Sequence, residues 1–99
     1  MNIKIQSVHF DADKKLLEFI ENKVEKLSQV ADDIMLAEVV LRLENSETNE
    51  NKVAEIRIDI PHASDIFARR QTKSFEESID LATDALRRQL RRFKQKQRG

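Results

Sequence analysis

Hydrophobic and polar positions alternate in four stretches of the chain, and this period of two residues predicts four β-strands. The first stretch covers residues 2–8, where Ile3 and Ile5 stand between polar neighbours. Pro61 ends the third stretch, because proline lacks the amide that a central strand must donate. The other three stretches are residues 36–44, 52–60 and 63–72.

Two longer stretches repeat apolar residues at spacings of three and four, which predicts amphipathic α-helices. The first helix is predicted over residues 14–30, with Asp11 or Asp13 as its N-cap. The second helix starts after Ser74, which together with Glu77 fits a capping box. The apolar stripe of the first helix is Leu16, Ile20, Val24 and Leu27, and the seam of the second is Phe75, Ile79, Ala82, Leu86, Leu90 and Phe93.

The order of these elements is β-α-β-β-β-α, and it predicts an α+β fold, a two-layer sandwich. Short loops make the last three strands antiparallel neighbours, whereas the first strand reaches the second through a helix and should lie parallel to it. Because each strand has one apolar face, we expect a four-stranded sheet with both helices packed on one face. The core positions expected on the second and third strands are Ala37, Val39, Leu41, Leu43, Ala54, Ile56, Ile58 and Ile60.

The composition is typical of one small globular domain, predicted to cover residues 1–99. Hydrophobic residues make up 39% of the chain and charged residues 36%, which allows a modest core beneath an ionised surface. The absence of cysteine excludes a disulfide framework and a cysteine-ligated zinc site. No apolar stretch approaches the ~20 residues of a membrane span, so we expect a cytoplasmic protein.

Charge is distributed unevenly along this formally neutral chain, which has 18 Lys and Arg against 18 Asp and Glu. Asp84 is the last acid, and residues 85–99 carry seven cations. The helix dipole would explain about two or three of them, but Arg87/Arg91 and Arg88/Arg92 are like-charge pairs one turn apart, which destabilise a helix. The arrangement therefore indicates an anionic partner. The seven cations are Arg87, Arg88, Arg91, Arg92, Lys94, Lys96 and Arg98.

The length of the second helix predicts where its basic end lies. A strand of eight residues spans about 26 Å, a distance that roughly 18 helical residues cover, so the helix should pass the end of the sheet near Arg92. Five of the seven cations are arginine, whose planar guanidinium binds phosphate through two parallel hydrogen bonds. RNA is therefore the expected ligand of a helix end that projects beyond the sheet.

The two predicted helices also carry a family resemblance. The second has Ile79-Asp80, Leu86, Arg88-Gln89-Leu90, Arg92, Lys94 and Lys96, and the first has Lys23 and Lys26-Leu27. Together with the element order, these residues resemble the ribosome hibernation promoting factor / protein Y family, to which the older label sigma-54 modulation protein also refers. The chain is similar to the short type of this family, which has no C-terminal dimerisation domain.

The resemblance implies a translation inhibitor of stationary phase and stress rather than an enzyme. Its partners would be the 30S subunit and the 70S ribosome, where it would bind 16S rRNA in the channel used by mRNA and by the A- and P-site tRNAs. We expect no cofactor, no metal, no membrane partner, no small-molecule substrate, and a monomer when the protein is free. The expected RNA-binding residues are Arg87, Arg88, Arg91, Arg92, Lys94, Lys96, Lys23 and Lys26.

Two other binding hypotheses stay open at this stage. A double-stranded-RNA-binding module has a similar α-β-β-β-α core. Such a module contacts phosphate at the start of its second helix, where this chain has Glu76, Glu77 and Asp80. Alternatively, the arginines of the second helix could bind an acidic protein.

Residues outside the basic end give little support for catalysis. His9 and His62 are the only histidines, and neither has the spacing to a carboxylate or nucleophile that a catalytic set requires. Asp32 and Asp33 are expected at the entry to a strand rather than in a metal site. Phe67 alternates out of phase with its apolar neighbours and is expected on the open face of the sheet. One edge of the first helix is acidic, which makes Lys23 and Lys26 weaker RNA ligands than the arginines; its acids are Glu18, Glu21 and Glu25.

Overall fold

The alternating segments form four strands, and two helices lie between and after them as predicted. The computed structural model describes residues 1–63 and 65–98, with the side chain of Arg98 excepted. The fold is α+β, with the predicted order β-α-β-β-β-α and one short additional 3-10 helix. The elements are β1 (Asn2–Ser7), α1 (Lys14–Glu25), the 3-10 helix (Lys26–Gln29), β2 (Leu36–Leu43), β3 (Lys52–Asp59), β4 (Ile66–Thr72) and α2 (Phe75–Arg98).

The strands form one mixed sheet in the order β1-β2-β3-β4. β1 is parallel to β2, in a register that pairs Ile5 with Val39, and the other two pairings are antiparallel. α1 and α2 contact each other, and α2 also contacts β3 and β4. Because α2 follows β4 and runs back along it, the basic end of α2 lies at the end of the sheet where β1, β2 and β4 begin.

The core lies between the sheet and the two helices, and most of the predicted core positions are confirmed. The predicted positions on β2 and β3 are buried except for Leu43, whose side chain is 52% exposed. Leu43 pairs with Lys52 at the hairpin end of the sheet, whereas β1 stops at Ser7, opposite Leu41. Leu43 therefore lacks a neighbouring strand on its β1 side, and the prediction that it is buried in the core is wrong.

The first predicted helix is divided into two parts. Asp13, one of the two predicted N-caps, accepts a hydrogen bond from the Leu16 amide at 2.8 Å. The regular α-helix ends at Glu25 rather than at residue 30, and the chain continues as the 3-10 helix. Leu27 stays fully buried within that tighter turn, so the apolar stripe continues although the helix type changes.

The start of α2 is capped by two hydroxyl groups. The Ser74 hydroxyl accepts a hydrogen bond from the Glu77 amide at 3.1 Å, as the capping box predicts. In the second half of a capping box, the Glu77 carboxylate would accept from the Ser74 amide. That amide instead donates to the Thr72 hydroxyl at 3.3 Å. The Thr72 hydroxyl also lies 2.9 Å from the Ser78 hydroxyl, which joins the end of β4 to the first turn of α2.

The turn after β3 delays the start of β4. Pro61 and His62 form a turn in which the Ala63 amide donates to the Ile60 carbonyl oxygen at 3.3 Å. His62 has a φ of 68° and is exposed, which fits the third position of a type II turn. The fourth strand therefore begins at Ile66 rather than at the predicted residue 63, and Ser64 lies outside the described residues.

A side-chain amide fixes α2 along the sheet. The Gln89 side chain donates to the Phe67 carbonyl oxygen at 2.8 Å and accepts from the Phe67 amide at 3.2 Å. β4 is an edge strand, so these two bonds take the place of a neighbouring strand at Phe67. They determine which residues of α2 lie over the sheet and which lie past it.

We expect Leu90→Ala to lower the free energy of unfolding by about 2–5 kcal/mol, because it leaves a cavity beneath α2. Leu90 is fully buried, whereas Leu81 on the same helix is 41% exposed. Leu81→Ala is the matched control and should cost less than about 1 kcal/mol. Urea unfolding of both variants measures the difference. Equal losses would contradict the placement of Leu90 in the core.

Candidate nucleic-acid interface

The C-terminal half of α2 presents cations on every side that does not face the core. Leu86 and Leu90 are fully buried and Phe93 is half-buried, so these residues form the inner seam. The exposed cations of this half of the helix are Arg88, Arg91, Arg92 and Lys96. The exposure of these cations follows from the helical period, since residues on the side of the helix opposite to the seam point to solvent.

Grooves flank this basic ridge on both sides. On the side of the 3-10 helix, a groove of 290 Å³ lies between Gln29 and Val30 on one wall and Arg91 and Lys94 on the other. It adjoins a larger groove of 480 Å³ that extends along residues 28–32. On the β4 side, a groove of 260 Å³ is lined by Ile66, Gln89, Arg92, Phe93 and Lys96. Each groove therefore has at least one cation of α2 in its wall.

Three of the eight predicted RNA-binding cations are already paired with carboxylates. Lys94 Nζ lies 2.7 Å from Asp33, and Lys23 Nζ lies 2.9 Å from Asp80. The third pair, between Arg87 and Asp84 one turn earlier on α2, is longer at 3.5 Å. The other five have no ion pair within residues 1–63 and 65–98: Arg88, Arg91, Arg92, Lys96 and Lys26. Lys26 is exposed on the 3-10 helix rather than on α1.

The Lys94–Asp33 pair favours the charged form of the Asp33 carboxyl group. The hydrogen bond from the Lys94 ammonium lowers the pKa of Asp33 below its ordinary value of 3.8. The ion pair is therefore formed at neutral pH and is lost only as the pH falls through that lowered pKa. At physiological pH the positive charge of Lys94 is directed toward the strand-entry turn.

The basic end projects less far than its length predicts. The overhang was expected from about Arg92, but Phe93 packs against the core and Lys94 is held by Asp33. The overhang is shorter because the core extends past the end of the sheet, where Ala31 and Ile34 are buried ahead of β2. The prediction that Lys94 projects freely is therefore wrong. The exposed overhang begins at Gln95, and the arginines lie on the flank of the packed helix.

Two arginines on the open face of the sheet form ion pairs with glutamates, unlike the exposed arginines of α2. Arg42 contacts Glu55 at 2.8 Å, and Arg69 contacts Glu44 at 2.9 Å. Phe67 lies on this face, where the Arg57 guanidinium stacks over its ring at 5.2 Å from the centroid. Carboxylates therefore balance much of the charge of this face, whereas the surplus of positive charge lies at the end of α2.

Clustered metal ligands are absent from the part of the chain that the structure describes. Among residues 1–63 and 65–98, no three His, Cys, Asp or Glu side chains converge as metal ligands would. Asp32 and Asp33 lie in the turn before β2, as expected for a strand entry. None of the helices described is long and apolar enough to cross a membrane.

Solved structures share this fold over nearly their whole length. A ribosomal subunit interface protein from Coxiella burnetii superimposes with a TM-score of 0.82 at 20% identity, covering 95% of this chain and 98% of that chain. At that identity the likeness concerns the fold alone. The N-terminal domain of protein Y from Thermus thermophilus superimposes with a TM-score of 0.79 at 27% identity, covering 94% of this chain and 99% of that chain.

Sequence comparison identifies the family. A curated protein of Deinococcus radiodurans, named ribosome hibernation promotion factor, is 33% identical over 87 residues. The match covers 78% of this chain and 40% of that protein, so the chain spans less than half the length of this relative. The family model described as sigma 54 modulation protein / S30EA ribosomal protein matches residues 3–98. This chain therefore belongs to the sigma 54 modulation protein / S30EA ribosomal protein family.

Proposed function

We propose that this protein binds the small ribosomal subunit through the basic end of α2 and silences translation by occupying the mRNA and tRNA channel. The observation that carries the proposal is the set of five exposed cations that have no carboxylate partner within residues 1–63 and 65–98, three of which, Arg91, Arg92 and Lys96, line the grooves. Phosphate is the anion whose spacing and charge suit such a row, and 16S rRNA supplies it in quantity. The names of the relatives, a hibernation promotion factor and a subunit interface protein, support the same partner.

Arginine and lysine have different roles in this proposal. Arg88, Arg91 and Arg92 would each bind a phosphate through two parallel hydrogen bonds, which fixes the orientation of the helix on the rRNA. Lys96 and Lys26 would act as point charges that strengthen binding without orienting it. The activity is steric exclusion of mRNA and tRNA, so it needs no reacting group.

The three paired cations would bind phosphate only by giving up contacts with carboxylates that they already make. Lys94 and Lys23 reach phosphate only by exchanging Asp33 and Asp80 for it, which costs the ion pair that each already makes. Arg87 lies farther from its carboxylate, at 3.5 Å, and its side chain is 31% exposed. We therefore assign the strongest phosphate contacts to the unpaired arginines.

The alternative of a double-stranded-RNA-binding module fits the structure poorly. In such a module the start of the second helix contacts phosphate, but here Glu76 and Glu77 are exposed in the first turn of α2. Two carboxylates at that position repel an RNA backbone. The cations lie at the opposite end of the helix, which favours an interface built around its C-terminal end.

Binding to 30S subunits should weaken steeply with salt. If the five unpaired cations contact phosphate, the logarithm of the association constant should fall with the logarithm of salt concentration with a slope of about −3 to −5. Sedimentation of the protein with purified 30S subunits at several KCl concentrations measures this slope. A flat response would indicate an apolar contact with a ribosomal protein and would contradict the proposal.

Replacing Arg88 and Arg92 by glutamate should separate binding from folding. The double variant loses two phosphate contacts and gains two repulsive charges, so the affinity for 30S subunits should fall by about 2–4 kcal/mol. Both residues are exposed, and we expect the free energy of unfolding to change by less than about 1 kcal/mol. Pelleting with 30S subunits and urea unfolding give the two readouts.

The matched control for this variant reverses two exposed lysines at the other end of the molecule. Lys15→Glu with Lys73→Glu changes the net charge equally, at the start of α1 and just before α2. This control should bind 30S subunits nearly as well as the unchanged protein. If the arginine variant and the lysine control bind equally, net charge rather than the end of α2 directs association.

Asp33→Asn should strengthen binding to 30S subunits by releasing Lys94. One additional phosphate contact would steepen the salt slope by about 0.7–0.9. Asp32→Asn is the matched control, because Asp32 is a neighbouring exposed carboxylate for which no ion pair occurs in the described structure. The two variants have the same charge, so a difference between their slopes isolates Lys94. Identical slopes would show that Lys94 does not reach rRNA.

A further inference from the structure

The outer edge of β1 is a row of backbone groups without a neighbouring strand. β1 lies at the end of the sheet and pairs only with β2. The amides of Asn2 and Val8 both donate toward β2, at 3.0 and 2.9 Å. The backbone groups of successive residues point to opposite sides of a strand. Between Asn2 and Val8, the amide and carbonyl groups therefore face β2 in one residue and face outward in the next. The backbone groups that face outward from β1 are those of Ile3, Ile5 and Ser7.

The two edges of the sheet differ in how far they are closed. On β4, the amide and carbonyl groups of Phe67 are bound by Gln89, and the Arg69 carbonyl accepts a hydrogen bond from the Arg70 guanidinium at 2.8 Å. On β1, the outward-facing amides make no hydrogen bond to any part of the chain that the structure describes. Proteins usually block or cover such an edge, since it is a template for another strand.

A groove runs between this open edge and α1. It has a volume of 390 Å³ near the start of β1. Ile3 and Ile5 are only half-buried, although both pack against the core. The wall on the strand side is therefore partly apolar. The groove is lined by Met1, Asn2 and Ile3 of the β1 segment and by Glu21, Asn22 and Glu25 of α1.

The wall formed by α1 is negatively charged. Glu21 and Glu25 are exposed, and neither takes part in an ion pair within residues 1–63 and 65–98. Two uncompensated carboxylates repel an RNA backbone and attract lysine or arginine. This surface therefore suits a positively charged partner, whereas the end of α2 suits a negatively charged one.

We propose that β1 accepts an extended, basic peptide segment of a partner protein as a fifth strand of the sheet. The backbone of the segment would pair with the outward groups of Ile3, Ile5 and Ser7. Because successive side chains of a strand point to opposite faces, every second side chain of the segment would lie on the face covered by α1. On that face, apolar side chains would cover the half-buried isoleucines, and lysines or arginines beside the groove would reach Glu21 and Glu25. Main-chain pairing supplies affinity and the alternating side chains supply specificity in this mode of recognition.

A second copy of the chain fits the same edge less well. An antiparallel pair of β1 strands would bring the acidic edges of two α1 helices toward one another, and like charges in facing positions are destabilising. Lys4 lies in the middle of β1 and would oppose its own copy in the register centred on it. The proposal concerns the free protein and the edge of the sheet opposite to β4, and its test uses no ribosome, so it stands independently of ribosome binding.

The test uses the ¹⁵N-labelled protein and a synthetic peptide, acetyl-KTKTVTV-amide, whose lysines and valines share one face of an extended strand. The peptide should shift the amide resonances of Ile3, Ile5 and Ser7 and slow their exchange with solvent, because these amides gain hydrogen-bond acceptors. The same peptide with every backbone amide N-methylated cannot donate hydrogen bonds to the strand and should bind at least about tenfold more weakly. Shifts located elsewhere, or equal binding of the methylated peptide, would overturn the proposal.

A pair of charge variants tests the acidic wall. Glu21→Lys with Glu25→Lys should weaken binding of the peptide about tenfold, since two attractive contacts become repulsive. Glu47→Lys with Glu50→Lys is the matched control, because both residues are exposed in the loop between β2 and β3, and it should bind like the unchanged protein. Equal affinities of the two variants would contradict the role of α1. A dimer in sedimentation equilibrium without peptide would assign the edge to a second copy and overturn the proposal.

Discussion

The packing of α2 on the sheet is the constraint on which the rest of the structure depends. Ile79, Leu86 and Leu90 are fully buried along its inner seam, and Gln89 binds the backbone of β4 at a single position. A shift of the helix by one turn, about 5.4 Å, would break both Gln89 bonds and would separate Lys94 from Asp33. Apolar burial therefore supplies the stability, while a few polar contacts determine which cations face solvent.

Arginine serves two different purposes in this small protein. On the open face of the sheet, Arg42 and Arg69 face glutamates across neighbouring strands, so their charges are largely neutralised where they stand. At the end of α2, Arg88 and Arg92 lie one turn apart without a carboxylate partner in the described part of the chain, and each destabilises the other. The contrast shows that the clustering at the helix end is not a general consequence of a charged composition. It is a local departure from what folding alone would favour.

The period of apolar residues was sufficient to predict the elements, the layer arrangement and most of the core, since each buried face follows directly from local alternation. The lengths of the connections then predicted the strand order. The exposure of Arg88, Arg91 and Arg92 was predictable for the same reason, because they lie between seam positions. The Lys94–Asp33 pair and the Gln89 clamp were not predictable, since their partners are far apart in sequence and no local pattern relates them. Leu43 shows the same limitation: its alternation is regular, but its burial depends on where another strand ends.

The difference between the two sheet edges limits how this fold can associate. Strand addition propagates without end only when a molecule offers two open edges, one to receive a neighbour and one to offer to the next. Here Gln89 and Arg70 occupy backbone groups of β4, whereas β1 stays open. Strand addition is therefore favoured at β1 over β4, and a sheet that grows at β1 alone stops after a single addition. Strand addition at β1 would therefore end in a finite complex rather than in a fibre.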